Sequence, residues 1–253
     1  MNMFVDVHAH IDYEDFKKDR KEVLDRAIKA GLIAVITNGT NEKSNEQVLK
    51  LARQYGLLKP ALGLYPLEAI KLEEEGIERV FAQIKINAKK IIAIGEIGLD
   101  YAYDKENQEN QKRLFRNLLH IAKEYDLPVI VHSRKAEMQA IDVLEEEKMK
   151  KVVMHCFSGS MKLVKRIEDN GWYVSIPANV VFSTHFQEVV KRTGLQYILT
   201  ETDAPFLSPQ KNERNEPKNV VNTVKVIADL KGLDKGETKK IIFTNFQKLF
   251  HKK

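Results

Sequence analysis

One cysteine, Cys156, stands in 253 residues, so no disulfide can form within the chain. That fits a reducing compartment, and a cytoplasmic location is expected. No apolar run approaches the roughly 20 residues that cross a bilayer, so no membrane partner is expected. Met1 to Asp6 lacks the basic region and long apolar stretch of a secretory signal. No proline-, glycine- or serine-rich stretch divides the chain, which reads as a single domain over residues 1–253. No sequence feature marks an obligate protein partner. With 43% hydrophobic and 30% charged residues, the chain can bury a sizeable core under a well-solvated surface, and disorder is excluded. The charge imbalance is small, at +5. It is compatible with a polyanionic partner such as nucleic acid and equally with a lysine-rich surface of no special meaning.

What the chain does contain is a recurrence of short apolar, β-branched runs. They are Phe4 to Val7, Leu32 to Thr37, Pro60 to Leu64, Ile91 to Ile94, Pro128 to Val131, Val152 to Met154, Trp172 to Ile176 and Tyr197 to Leu199. Several are apolar without alternation, as a strand covered on both faces must be. Between them, apolar residues recur at helical spacing over Lys21 to Ala30, Asn45 to Tyr55, Glu109 to Tyr125 and Met161 to Asn170. A closing helix is expected over Lys235 to Phe250. Glu73 to Glu75 reads as a solvated helix start and Glu145 to Glu147 as a solvated helix end. Alternating strand and helix means βα units and a parallel sheet. Eight units in a chain of this length indicate an α/β fold, a TIM-like (β/α)8 barrel, with a doubly wound open sheet as the alternative. Ala204 to Lys218 carries three prolines and no periodicity, and reads as a long loop after the eighth strand.

Six candidate ligands fall at or near strand ends. His8 and His10 follow the first strand, Glu96 ends the fourth, His132 the fifth and His155 the sixth, and Asp203 lies just past the eighth. In a barrel these ends share one rim, so six metal-ligand side chains distant in sequence would converge. Residues i and i+2 of an extended segment project to one side, which lets His8 and His10 hold one ion. Imidazole with carboxylate suits Zn, Mn, Fe or Co, while Mg prefers oxygen donors. A carboxylate such as Glu96 can bridge two ions, and Asp203 can bind metal and also take a proton from water. His120, His185 and His251 read as structural, and Cys156 as a buried thiol.

At these residues the chain resembles the TatD family of metal-dependent deoxyribonucleases, within the amidohydrolase superfamily. The shared blocks are Val5-Asp6-Val7-His8-Ala9-His10, Ala93 to Tyr101 around Glu96, Pro128 to Arg134, His155 to Gly159, Glu201 to Leu207 and Arg214 to Pro217. The resemblance implies two divalent ions per subunit (Zn, Mg or Mn). His8, His10 and Asp203 would hold one, His132 and His155 the other, and Glu96 would bridge them. It implies hydrolysis of DNA phosphodiesters, single-stranded or damaged, with 3′–5′ exonuclease action. The family usually carries Gly-x-His-Pro-His after the third strand, where this chain has Gly63-Leu64-Tyr65-Pro66-Leu67. Tyr65 is therefore expected to bond a phosphate, stack on a base or pack at the rim. Arg134, Ser158 and Arg214 complete the candidate substrate contacts. Arg134 would clamp a phosphate bidentately or else pair with Asp100 or Glu201. Two other functions share these residues: an esterase or deacylase acting on a carbonyl, such as misacylated tRNA, and a non-catalytic nucleic-acid-binding protein.

Overall fold

A computed structural model describes residues 3–251. The apolar runs become eight strands: β1 (Phe4–Ala9), β2 (Leu32–Asn38), β3 (Leu58–Leu62), β4 (Ala93–Gly98), β5 (Val129–His132), β6 (Val152–Met154), β7 (Tyr173–Ile176) and β8 (Ile198–Thr200). They pair in parallel and in chain order. Just past β8 the chain bends onto β1. The Asp203 N–H donates to His8 O (2.9 Å), the His10 N–H donates to Ala204 O (2.8 Å), and Ala9 and Ala204 form a parallel bridge. The sheet is thereby a nearly closed barrel, as the alternation of strand and helix predicts. All six residues of β1 and of β4 are buried, the pattern of strands covered on both faces.

The helices α1 (Arg20–Ala30), α2 (Glu42–Gln54), α3 (Pro66–Ala69), α4 (Glu74–Asn87), α5 (Gln108–Glu124), α6 (Glu137–Glu146), α7 (Met161–Asp169), α8 (Thr184–Arg192), α9 (Val220–Lys231) and α10 (Lys235–Phe250) surround the barrel. Their apolar faces join the strands in one core. In α5 that face is Leu114, Phe115, Leu118, Leu119, Ile121 and Ala122. No helix among the described residues is long and apolar enough to cross a membrane.

Three strands sit differently from the sequence expectation. The first, β1, expected over Phe4 to Val7, runs on to Ala9, so His8 lies inside it rather than after it. Expected over Ile91 to Ile94, β4 runs on to Gly98, so Glu96 lies inside it rather than at its end. Glu96 is buried, and an acid in an apolar strand masks the strand's continuation. The expected Pro60 to Leu64 strand ends at Leu62, because the Asn45 side chain takes over both main-chain groups of Gly63, at 3.1 and 2.9 Å. Glu145 to Glu147, expected to be merely solvated, is an ion-pair hub. Glu145 meets Arg166, and Glu147 meets Arg116, His120 and Lys123.

Candidate metal centre

His8 lies within β1 and His10 one residue past its end, and both rings turn to the same side. Their Nε2 atoms are 3.2 Å apart. Glu96 Oε2 lies 3.6 Å from His8 Nε2 and 3.4 Å from His10 Nε2, and Asp203 Oδ1 lies 3.6 Å from each. Four donor atoms thus crowd together, the two nitrogens 3.2 Å apart and each 3.4–3.6 Å from both carboxylate oxygens. Donors placed tetrahedrally about 2.1 Å from a first-row divalent ion stand about 3.4 Å apart. The residues fit such an ion.

The other oxygen of Glu96 serves the opposite side. His132 Nδ1 is 2.9 Å from Glu96 Oε1, and His155 Nε2 is 3.7 Å from the same atom. The His8, Glu96 and His155 ligand atoms form a second compact group. His8 stacks on His155 at a centroid distance of 3.7 Å, which joins the two sides.

Three of the four rings are held by their far nitrogen. His10 Nδ1 meets Asn38 O (3.1 Å), His132 Nε2 meets Asp100 Oδ2 (2.9 Å), and His155 Nδ1 meets Glu201 Oε2 (3.0 Å). An acceptor there fixes the ring orientation and the tautomer of the neutral ring, so that each ring, once neutral, turns its near nitrogen's lone pair into the cluster, as metal-binding histidines require. His8 has no such partner among the described residues, and its Nδ1 is buried and unbonded. Asp6 braces the strand beneath. Its carboxylate accepts from the main-chain N–H groups of His8 (3.2 Å) and Thr202 (3.0 Å) and from the Thr202 hydroxyl, tying β1 to the Asp203 turn.

Two glycines let these groups approach. A Cβ on Gly63 would stand 2.3 Å from the carbonyl oxygen of Glu96, and one on Gly98 would stand 2.0 Å from that of His132. Any side chain at either position would displace the strand carrying a cluster residue.

Charge follows burial and neighbours. Burial opposes protonation of His155, but the negative Glu201 beside it wins and raises its pKa to about 10. Burial also lowers the His8 pKa, and the positive field of His155 adds to that, so His8 is held neutral. Burial raises Asp203 to about 6 against the lowering pull of His155 and His10. Cys156 is pushed well up, by burial first and then by Glu201 and Asp203, so its sulfur stays a neutral thiol.

The cluster floors a cavity of about 470 Å³ whose walls include Tyr13, Tyr65, Tyr103, Arg134 and Phe206. The Arg134 guanidinium lies 5.5 Å over the Tyr103 ring, with Nη1 3.4 Å from the Tyr103 hydroxyl, and does not pair with Asp100 or Glu201. Tyr65 presents its ring to His132 and donates its hydroxyl to Asp100 Oδ2 (2.7 Å). Two candidates lie elsewhere. Ser158 donates to Glu137 Oε1 (2.9 Å) on the exposed surface. Arg214 does not line this cavity; it grips Asp19 at 2.8 and 2.6 Å and covers the ring of Phe16.

Sequence reasoning passed over Asp6, Asn38, Tyr13, Tyr103 and Phe206, and treated Asp100 only as a partner for Arg134. Asp6 had a readable signal, an acid inside an apolar run. The aromatic residues had none, because a ring at a rim and a ring in a core look alike in sequence.

The model of TatD-related DNases matches residues 5–251. The chain belongs to the TatD-related DNase family. Among the relatives of this TatD-family chain, an uncharacterized metal-dependent hydrolase of Methanocaldococcus jannaschii is 36% identical over 99% of the chain and 98% of its own length. A human deoxyribonuclease is 32% identical over 98% and 94%. The crystal structure of a TatD homolog from Escherichia coli superposes with a TM-score of 0.91 at 30% identity, covering 98% of both chains. A TatD-family site with these His, Glu and Asp clusters is a site for divalent metal.

Proposed function

We propose that the protein is a metal-dependent hydrolase that cleaves phosphodiester bonds of DNA, removing nucleotides from the 3′ end. The observation that carries it is the division of Glu96: Oε2 faces His8 and His10, and Oε1 faces His132 and His155. We assign His8, His10 and Asp203 to one divalent ion (Zn, Mn or Mg), His132 and His155 to a second, and Glu96 to both. Bound there, the ions would supply Lewis-acid stabilisation of phosphate charge and a more acidic water. The 3′–5′ direction rests on the family resemblance.

The chain's own residues do the rest. Arg134 holds a non-bridging phosphate oxygen from the cavity wall. Asp203 accepts the proton of the attacking water at its carboxylate. The water oxygen bonds to phosphorus, the bond from phosphorus to the 3′ oxygen breaks, and Asp203 returns the proton to that oxygen. Tyr13, Tyr103 and Phe206 offer ring faces to a base at the mouth. A protein without disulfides fits a cytoplasmic site of action.

The test is incubation of 5′-labelled single-stranded DNA with purified protein and Mg, Mn or Zn in turn. A ladder of products shortened from the 3′ end supports the proposal. Intact DNA in every metal, beside cleavage of an aminoacyl ester, moves the assignment to carbonyl chemistry.

A further inference from the structure

A second cavity, of about 550 Å³, opens beside the first. Tyr101, Ala102, Lys105, Gln108, Lys135 and Gln139 line it. The two cavities share a wall, because Tyr103 and Arg134 face the metal side while their chain neighbours Ala102 and Lys135 face the other. The Tyr101 N–H donates to Arg134 O (3.0 Å), which fastens the loops after β4 and β5 together at that wall. Lys135 adopts a left-handed conformation, φ 55°, at the turn from β5 into α6, where the chain passes from one cavity to the other.

The lining contains two lysines, two amides and no acid. Among the described residues neither Lys105 nor Lys135 pairs with a carboxylate, whereas Lys112, Arg113 and Arg116 on the adjoining α5 all do. Two acids of the flanking segments, Asp104 and Glu137, are committed elsewhere. The Asp104 carboxylate accepts from its own turn and from Gln111, and Glu137 accepts from Ser158. Two unpaired ammonium groups with amide donors between them suit a phosphate.

We infer that this cavity is a second phosphate subsite, which holds the backbone phosphate next along the strand from the one at the metal centre. The inference rests on the nucleic-acid reading above and extends it: the substrate is a polynucleotide gripped at two phosphates, rather than a small phosphodiester. Arg134 and Lys135, consecutive in the chain, would serve consecutive phosphates.

The test uses full-length protein as purified and a fluorescein-labelled, phosphorothioate-linked single strand, which resists cleavage. Fluorescence anisotropy gives Kd over a range of salt. Lys105→Gln with Lys135→Gln should weaken binding on the order of ten-fold and reduce the slope of log Kd against log salt by about 0.7 per lysine. A control pair, Lys29→Gln with Lys90→Gln, lies near the ends of α1 and α4, at the opposite face of the barrel, and should change neither value. Unchanged binding in the first pair, or an equal loss in the control pair, overturns the subsite. Hydrolysis of unmodified DNA by wild-type protein is scored separately. Its absence sinks the hydrolase reading alone, because anisotropy reads the subsite without turnover.

Discussion

The Tyr65 hydroxyl and the His132 ring meet on one oxygen atom, Asp100 Oδ2, at 2.7 and 2.9 Å. Asp100 is thereby held below the usual carboxylate range, since these bonds outweigh the opposing effect of its burial. Tyr65 thus supports His132 through Asp100. Tyr65→Phe keeps the ring against His132 and removes only the hydroxyl. It should lower metal affinity and turnover by about 10- to 100-fold, the usual cost of losing an outer partner of a metal histidine. Titration calorimetry and steady-state kinetics together check this. Weaker turnover with unchanged metal affinity would instead place the hydroxyl on the substrate.

Glu96→Gln keeps the shape of the bridging side chain and removes its charge. Metal content should fall and DNA cleavage should drop by at least about 100-fold, the scale of an essential electrostatic group. Circular dichroism should show the fold retained, because the substitution is isosteric. Full metal loading in the variant, measured by elemental analysis, would exclude Glu96 as a bridge.

Metal binding should depend on pH with a definite sign. In the metal-free site His155 is protonated below about 10, and its Nε2 must lose that proton to coordinate. Binding at pH 8 should therefore release a proton, and affinity should rise with pH. It should fall further below about pH 6, where Asp203 takes up a proton. Calorimetry in two buffers of different ionisation enthalpy reads the proton directly, and identical heats in both would refute it.

The two arginines should separate cleanly. Arg134→Ala removes a cavity guanidinium and should raise KM for DNA on the order of ten-fold, with little change in Tm. Arg214→Ala should leave KM unchanged. It breaks a half-exposed pair with Asp19, so the stability loss should be about 1 kcal/mol or less. An effect on KM from Arg214→Ala would mean that its loop closes over the substrate.

Gly63→Ala tests the strand clearance. Its new methyl would meet the main chain of Glu96 at 2.3 Å. The expected cost is about 1–3 kcal/mol, as for other overpacked sites. Metal affinity should fall with it, because the strand that yields is the one carrying Glu96. Urea unfolding and metal titration report the two effects.

Much of the fold was legible in the chain. The α7 and α10 boundaries agree with the sequence expectation to within a residue, because an amphipathic helix writes its 3.6-residue period into a contiguous segment. The β4 boundary was harder, because Glu96 interrupts the apolar run that would reveal it.

The order of βα units, read from local periodicity, already sends the ends of β1, β5, β6 and β8 to one rim, and with them His8, His10, His132, His155 and Asp203. That much is a property of the sequence alone, since strand polarity and connection order follow from segment types and lengths. Which nitrogen of each ring faces inward was settled only by contacts with Asn38, Asp100 and Glu201, which lie 28, 32 and 46 residues away in the chain. The same holds for the turn of Tyr65 toward Asp100 and of Arg214 toward Asp19. Side chains so far apart in sequence leave no shared period to read. Their pairing depends on register between strands and on clearances of a few tenths of an ångström, and those exist only once the barrel has closed.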